Sequence, residues 1–572
     1  MSGISGILQI ATKALLAEQL GVEVTGHNIA NVNTEGYSRQ RVNLVTDIAV
    51  PSPWGPLGTG VEVQGIERAF DPFITARLNA KNSLLSEYQT RSAALEQVAT
   101  YFNETQSGGL NDLLSAFFAS LNDLADNPSG GGERQALVQK ALSLCEAFNS
   151  RADQLVQERM SLLQEVGPTI QEINDHSARI AELTREIVET EANGHEANDL
   201  RDQQQLELSR LSQLIGVSTY TAGDGTLSVS LPNGLPLVQG VLSWDLTYQV
   251  TPTDTVDLIW QGPGGTTEVI PTSILTGGSL TALLQMRDEV IPEYQQDLDQ
   301  LAHDFILAIN RQHSQGVGLM LFDEIKGTYP VTDPLLPVSA AGLPFGDQVV
   351  AGSLNISIDR NGEFLDSGSI AIDPSLTLND IVASINTHPV LGAYLTASVE
   401  DNALKIDTNL PSDTFGFAGD DSNILVALGI NTFFTGSKAY TLDVNAWVLE
   451  NPNLVAAGQI DAGGAHAVGD NRNALALAAL EEAPVGPDGL TFADAYKRLV
   501  MSLGLEAEDA SGQETFFQGL VDQLSVMRDA VSGVSLDEEM TNLVKFQRAY
   551  QAAARLVTVA DELYQTLLAL KK

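Results

Sequence analysis

The sequence predicts a multidomain α+β protein in which the N- and C-terminal helices pair as an α-helical coiled-coil core, beside an elongated helical rod domain and inserted β-rich outer domains. Helical periodicity dominates both ends of the chain and most of its first 215 residues. Alternating apolar and polar runs with Gly- and Pro-containing turns occupy residues 216–276 and 345–445. A sustained heptad lies near the C-terminus.

The chain is long enough for several hydrophobic cores, since it has 572 residues of which 43% are hydrophobic. We expect residues 1–70 and 530–572 to form a terminal helical assembly core. The helical rod domain is expected from residues 71–215 with 277–320 and 465–529, a β-rich subdomain at 216–276, and an inserted β-rich outer domain at 340–460.

The first helix is predicted from apolar residues at helical spacing, with Gly3 and Gly6 expected to precede it. The residues of this stripe are Ile4, Ile7, Leu8, Ala11 and Leu15, of which Ile4, Leu8, Ala11 and Leu15 are expected at the assembly interface. An Asn-rich turn follows, strands are predicted at residues 42–45 and 61–66, and Pro51–Gly60 is predicted to be a loop. The residues expected to form the turn and its surface are Asn28, Asn31, Asn33, Gly36 and Tyr37.

The last helix carries apolar residues at alternating spacings of three and four, which is the pattern of a coiled-coil seam. The eight positions are Leu543, Phe546, Tyr550, Ala553, Val557, Ala560, Tyr564 and Leu567. The two alanines would let a partner helix approach closely. An ordinary core helix is the alternative, but an eight-position seam near a terminus favours pairing, and we expect it to pair with the N-terminal stripe.

The acidic charge is unevenly distributed along the chain. The net charge is −43, yet residues 1–100 carry 7 Lys and Arg against 9 Asp and Glu, and residues 536–572 carry 5 of each. About −41 therefore falls between the ends. Nearly neutral ends can stack in many copies without strong repulsion, while an anionic middle suits a solvated surface. Such a chain is not expected to bind nucleic acid or an anionic membrane.

No pattern of catalytic or metal-binding residues is evident, so we expect no enzyme activity, cofactor or metal. HExxH, GxSxG and Walker motifs are absent, and the seven histidines lack metal-ligand spacing. The segment Asp359–Gly362 resembles part of a calcium-binding loop, but it lacks the full set of ligands, so a plain turn is favoured. No apolar run reaches the length of a membrane span, and the first residues lack the pattern of a cleaved secretion signal.

Two terminal segments resemble the signatures shared by flagellar rod, hook and hook-associated proteins: Gly26–Gln40 and Glu539–Arg555. Further segments narrow the resemblance to the hook-associated proteins: 198–203 with 214–217, 277–290 with 308–310 and His313, and 469–477. One departure is Glu35, where the family frequently has Pro. The region 345–445 carries no family motif.

The resemblance implies a structural, secreted subunit of the bacterial flagellum, located at the junction between hook and filament. It implies export through the flagellar type III apparatus and self-association in a ring. The implied partners are the hook protein, a second junction protein leading to flagellin, and a cytoplasmic export chaperone at the C-terminal helices. The residues implied for the assembly interface are those of the stripe, the turn and the seam.

Three other functions remain compatible with the residues themselves. Another flagellar axial protein, of the hook or rod, would share the terminal signatures. An extracellular adhesin or hydrolase would carry its activity in the β-rich region 345–445. A cytoplasmic coiled-coil scaffold would form a folded dimer in dilute solution.

Overall fold

The computed structural model describes residues 3–52, 55–103, 108–192, 194, 196–223, 225–461 and 463–570. The helices are α1 (Ile4–Ala30), α2 (Pro72–Tyr101), α3 (Leu110–Asp126), α4 (Gly131–Glu191), α5 (Asn198–Leu214), α6 (Ser279–Gln285), α7 (Ile291–His313), α8 (Leu378–Thr387), α9 (Leu391–Tyr394), α10 (Ile424–Leu428), α11 (Ala446–Glu450), α12 (Arg472–Ala478), α13 (Phe492–Ser532) and α14 (Leu536–Ala569). None of the described helices is both long and apolar enough to cross a membrane.

The strands are short and form several small antiparallel sheets. They are β1 (Gln40–Thr46), β2 (Val50–Ser52), β3 (Gly55–Leu57), β4 (Val61–Arg68), β5 (Ser218–Thr221), β6 (Leu227–Ser230), β7 (Pro236–Gln239), β8 (Leu242–Ser243), β9 (Asp245–Val250), β10 (Val256–Gln261), β11 (Thr267–Ile270), β12 (Glu324–Lys326), β13 (Gly352–Arg360), β14 (Glu363–Ile372), β15 (Leu395–Glu400), β16 (Ala403–Thr408), β17 (Asp413–Asp420), β18 (Phe434–Thr435) and β19 (Asp443–Val444).

The chain divides into two compact units. Unit 1 contains residues 1–94, 161–288 and 508–572, and unit 2 contains residues 95–160 and 289–507. Each unit is therefore assembled from segments that are far apart in sequence. The four-part division expected from composition remains a prediction.

In unit 1 the two terminal helices, α1 and α14, pack against each other, and β1 and β4 pair beside α1. The predicted α+β fold with paired terminal helices is thereby confirmed. One detail of the helix was wrong: α1 begins at Ile4, so Gly6 lies inside it. The predicted loop Pro51–Gly60 was also wrong in part, because β2 and β3 pair there with Pro51 opposite Pro56. Proline is tolerated at such an isolated edge.

The β-rich part of unit 1 is an insertion between α5 and α6. It contains a four-stranded sheet, β5-β6-β7-β8, and a three-stranded sheet, β11-β10-β9. Its two ends meet where the Gly216 amide donates to the Gly277 carbonyl at 3.0 Å. A Cβ on Gly216 would lie 1.6 Å from the Thr276 carbonyl oxygen, so the crossing of the two connections requires glycine.

In unit 2 an aromatic cluster lies among α3, α7 and the first turn of α13. Phe117, Phe118, Phe305, Phe434 and Phe492 are fully or almost fully buried and meet mostly in edge-to-face or tilted pairs. Two three-stranded sheets, β14-β13-β17 and β12-β16-β15, complete the unit.

The segment Asp359–Gly362, which resembles part of a calcium-binding loop, contains a turn in unit 2. It joins β13 to β14, with Asn361 and Gly362 both at positive φ, as a tight hairpin turn requires. Arg360 binds Asp413 of β17 through two contacts of 2.6 and 2.8 Å, so this carboxylate is already paired with a cation.

Candidate functional site

The candidate site of unit 1 centres on Asn28, near the end of α1, which is only 1% exposed. Its side-chain amide donates to the Gln40 carbonyl at 2.9 Å and to Glu539 Oε2 at 3.0 Å. Its Oδ1 accepts from the Gln40 amide at 2.9 Å and from the Tyr37 hydroxyl at 2.7 Å. Both amide hydrogens and both acceptor positions are thus used, and Asn28 joins α1, β1 and α14.

Arg39 connects the site to the first turn of α14 by ion pairs. Its Nη1 lies 2.9 Å from Glu538 Oε2 and its Nη2 lies 2.6 Å from Glu539 Oε1. Glu539 is buried, and Arg39 and the Asn28 amide compensate its charge. Removing Arg39 would leave the buried Glu539 carboxylate without its charged partner, which is strongly destabilising.

The segment 198–203, at the start of α5, is the third component of the site. The Ser38 amide donates to Asp202 Oδ2 at 2.7 Å, and Arg68 lies 3.0 Å from Asp202 Oδ1. Gln40 Nε2 donates to Asp199 Oδ1 at 2.6 Å. Burial raises the pKa of Asp202, while the Ser38 amide and Arg68 oppose the rise. Three segments that were identified separately in the sequence therefore meet at one place.

The turn after α1 is fixed by local hydrogen bonds and by α5. Asn31 Nδ2 donates to the His27 carbonyl at 3.1 Å. Gly36 has φ +79°, and a Cβ there would lie 3.2 Å from the Leu206 Cβ, so both its conformation and its space favour glycine. Glu35, which departs from the family pattern, lies 3.0 Å from Arg210 of α5. Asn33 is exposed.

The pairing of α1 with α14 is antiparallel and close. Asn28 of α1 lies beside Glu539 of α14. Gly21, seven residues earlier in α1, lies beside Phe546, seven residues later in α14. Ala553 and Ala560 of the seam are buried, whereas Tyr550, Tyr564 and Leu567 are exposed and the other three seam residues, Leu543, Phe546 and Val557, are half-buried. The seam is therefore most deeply buried at its two small residues, Ala553 and Ala560.

The predicted N-terminal stripe lies mainly beside this contact. Ala11 is buried, while Ile4, Leu8 and Leu15 are half-buried. The antiparallel register places Ile4 of α1 level with Leu563 of α14. Because an α-helix turns by about 100° per residue, the stripe residues lie on the same side of α1 as Glu18. Burial raises the pKa of Glu18, and the charge of Lys545 opposes the rise, so the two side chains lie near each other.

Lys545 shares its side of α14 with three half-exposed apolar residues, Leu556, Val559 and Leu563. We define the outer flank as the surface formed by Ile4, Leu8, Leu15, Leu556, Val559 and Leu563. All six residues are apolar, and the opposite charges of Glu18 and Lys545 lie at the end of this surface. Exposed apolar residues gathered on paired helices are typical of an interaction site.

The close contact at Gly21 gives a first prediction. A Cβ at Gly21 would lie 2.7 Å from Phe546 Cδ1, whereas a Cβ at Gly26 of the same helix would meet nothing within 4 Å. Gly21→Ala should therefore lower the free energy of unfolding of unit 1 by about 1–3 kcal/mol, because it overpacks the helix contact. Gly26→Ala should raise it by about 0.5–1 kcal/mol, because alanine favours helix.

Urea unfolding followed by circular dichroism measures both variants. A partial recovery of Gly21→Ala by Phe546→Leu is the expected control result. If Gly21→Ala and Gly26→Ala changed stability with the same sign, the two helices would not be in contact at Gly21.

Two other family-like segments meet inside unit 2. Asn310 donates to the Phe434 carbonyl at 2.9 Å and accepts from the Phe434 amide at 2.8 Å. His313 accepts from the Ala456 amide through Nε2 at 2.9 Å, so its proton is on Nδ1, which donates to the Asn431 carbonyl at 2.8 Å. Asn473 donates to the Ala456 carbonyl at 2.7 Å. These side chains satisfy buried backbone groups, which is a structural role.

Sequence reasoning identified Asn28 and the turn but missed the contribution of Arg39, Glu539 and Asp202 to one network. The resemblance had pointed to the segments containing them, and only the structure shows that these segments touch. The heptad pattern of the last helix also gave no indication that Gly21 and Asn28 of α1 would face it.

Three family models match the chain. The flagellar hook-associated protein FlgK helical domain matches residues 95–323, the flagellar basal body rod FlgEFG protein C-terminal matches residues 530–570, and the flagella basal body rod protein matches residues 8–37. The two terminal matches contain most of α1 with the turn that follows it, and the whole of α14.

Similarity to individual relatives extends over the whole chain. Flagellar hook-associated protein 1 of Salmonella typhimurium is 28% identical over 579 residues, covering 99% of this chain and 100% of the relative. The protein of the same name in Bacillus subtilis is 26% identical over 586 residues, covering 97% and 96%.

The fold is also similar to a solved structure, that of the flagellar hook junction protein FlgK from Burkholderia pseudomallei. The TM-score is 0.55 at 19% identity, covering 80% of this chain and 100% of that one. With the full-length similarity and the matched family models, these findings show that the chain belongs to the flagellar hook-associated protein 1 family.

Proposed function

We propose that this structural subunit of the hook-filament junction assembles as a ring of identical copies through the outer flank of α1 and α14. Its axial neighbours would be the hook protein on one side and a second junction protein, leading to flagellin, on the other. The observation that carries the proposal is the outer flank itself: its six residues are apolar in a chain of net charge −43. The Asn28 network supports it by holding the two helices in one register.

The same surface suggests how the protein reaches its place. We infer export through the flagellar type III apparatus and a final location in the extracellular flagellum. Before assembly, half-exposed leucines along α14 would favour aggregation, so a cytoplasmic chaperone at the C-terminal helices would protect them. The chain would act by binding its neighbours, without catalysis.

The test uses Leu563→Asp in a strain that lacks the native gene. A carboxylate in the outer flank would be buried without a partner on assembly, at a cost above the 1.4 kcal/mol that corresponds to a factor of ten. We therefore expect incorporation into flagella, measured by immunoblot of purified filaments with their hooks, to fall at least about tenfold.

The matched control is Thr558→Asp, which adds the same charge to an exposed position of α14 facing away from the outer flank. It should incorporate normally. Circular dichroism should show both variants equally helical in solution. Normal filaments with Leu563→Asp would refute assembly through this surface.

A further inference from the structure

Among the residues that the structure describes, four asparagines on helices bind strands in the same way, two in each unit. Each side-chain amide donates to the carbonyl of one strand residue and accepts from the N–H of that same residue, at 2.8 or 2.9 Å. An asparagine side chain carries the donor and the acceptor of a peptide group, so it takes the place of one residue of a further strand. The pairs are Asn28 with Gln40 of β1, Asn174 with Leu246 of β9, Asn310 with Phe434 of β18, and Asn386 with Ala397 of β15.

All four strands lie at the edge of a sheet. β9 ends the sheet β11-β10-β9 and β15 ends the sheet β12-β16-β15, while β1 and β18 belong to two-stranded sheets, in which each strand is an edge. An edge strand presents N–H and C=O groups with which a strand of another chain can pair. The asparagines fill part of each edge with a side chain from a helix of the same unit.

Asn386 separates this blocking effect from an ordinary structural role. Asn28 and Asn310 are 1% and 0% exposed, so their bonds are needed to satisfy buried backbone groups. Asn386 is exposed, and its removal would let water reach the backbone of Ala397. Its two hydrogen bonds therefore add little to stability that water would not replace. Their specific effect is to occupy the edge of β15.

The edge of β15 would be open for two successive outward-facing residues without Asn386. Ala397 turns both of its backbone groups away from β16, and Val399, two residues later in a strand without a register shift, turns its own groups the same way. Leu404 of β16, which lies opposite Val399, accepts from the Gly327 amide on its far side at 2.8 Å, as this arrangement requires.

The other three-stranded sheet of unit 2 is closed by different means. The edge of β17 pairs with Phe322, which donates to the Phe415 carbonyl at 2.9 Å and accepts from the Phe415 amide at 2.8 Å. On β14, Asp366 accepts from the Ser367 amide at 2.8 Å, and Glu363 adds a second carboxylate. Charges on an edge strand oppose pairing with another copy. All three edges therefore carry an obstacle to strand addition.

We propose that Asn386 determines the specificity of association: it blocks pairing of β15 between copies and so leaves contact between copies to other surfaces. Two β15 edges brought together antiparallel would form an isologous contact, in which the same surface of each copy is used. The inference concerns the chain in solution and does not depend on the proposed ring.

The test uses the purified full-length chain carrying Asn386→Ala. As its concentration rises, the amides of residues 395–400 should become protected from hydrogen exchange, because the strands of two copies pair there. Mass spectrometry of this segment measures the protection. Half-protection should occur at a concentration at least about tenfold lower than in the native chain, because no asparagine competes for Ala397.

Two further variants make the result specific. Asn379→Ala makes the same change at another exposed position of α8 and should behave like the native chain. Val399→Pro, added to Asn386→Ala, removes an outward N–H without removing a bond to β16 and should abolish the association. A merely structural role of Asn386 predicts no such rescue.

Three results would overturn the proposal. The first is exchange of residues 395–400 in Asn386→Ala that does not depend on concentration. The second is association that persists after Val399→Pro is added. The third is loss of the fold of unit 2 in Asn386→Ala by circular dichroism, since Asn386 would then be required for folding itself. None of these results bears on the outer flank, which lies in unit 1.

Discussion

Asn28→Asp is expected to lower the free energy of unfolding of unit 1 by about 3–5 kcal/mol, the usual cost of an uncompensated buried charge. The substitution removes two donated hydrogen bonds and places a second carboxylate about 3.0 Å from Glu539 Oε2. Urea unfolding monitored by circular dichroism measures the loss. Hydrogen exchange of residues 20–40 should increase in parallel, because these residues lose their connection to α14.

Two further variants make this result specific. Asn33→Asp introduces the same change at an exposed position of the same turn and should alter stability by less than about 0.5 kcal/mol. Asn28→Asp combined with Glu539→Gln restores an amide donor between the two side chains, and part of the loss should be recovered. If Asn28→Asp were as stable as Asn33→Asp, the network at the helix junction would be refuted.

Acidification should destabilise unit 2 through His313 by about 3 kcal/mol. Burial lowers the pKa of this imidazole from 6.5 to about 4. A nearby Arg134 acts in the same direction and the Asn431 carbonyl opposes it. Between pH 6.5 and about 4, His313 therefore binds a proton in the unfolded chain but not in the folded protein. The stability contribution is complete above pH 6.5 and is lost as the pH falls through about 4.

The measurement is the urea midpoint of unit 2 at several pH values for the native chain and for His313→Asn, which cannot titrate. The difference between the two chains should narrow between pH 6.5 and 4. Comparison with the variant is needed because burial also raises the pKa of Asp420, and its protonation has the opposite effect on stability. An imidazole of His313 that titrated near pH 6.5 in the folded protein would contradict the prediction.

Periodicity was sufficient to predict the helices at both ends and their pairing, because apolar residues recur at helical spacing for many turns. It was not sufficient to identify the surface of α1 that meets α14. That surface is built around Gly21 and Asn28, a residue without a side chain and a polar one, and neither contributes to an apolar pattern. The apolar stripe of Ile4, Leu8 and Leu15 lies mostly to one side of it.

The network at Asn28 could not be derived from local pattern either. Its partners are 9, 12 and 511 residues away in sequence, and no spacing rule connects them. Family-like segments indicated which residues mattered without indicating that they touch. The strand pair β2-β3 was missed for a different reason: prolines and glycines in Pro51–Gly60 are typical of loops, and here they occupy an isolated strand pair.

The bond between Asn28 and Glu539 also has a consequence for synthesis. During translation α1 emerges first, and the Asn28 amide lacks its acidic partner until the chain has grown past residue 539. A nascent chain that ends earlier lacks the carboxylate of Glu539 that pairs with Arg39 and cannot cover the α14-facing side of α1. The final closure of unit 1 is therefore a late event that reports whether the polypeptide has been made in full.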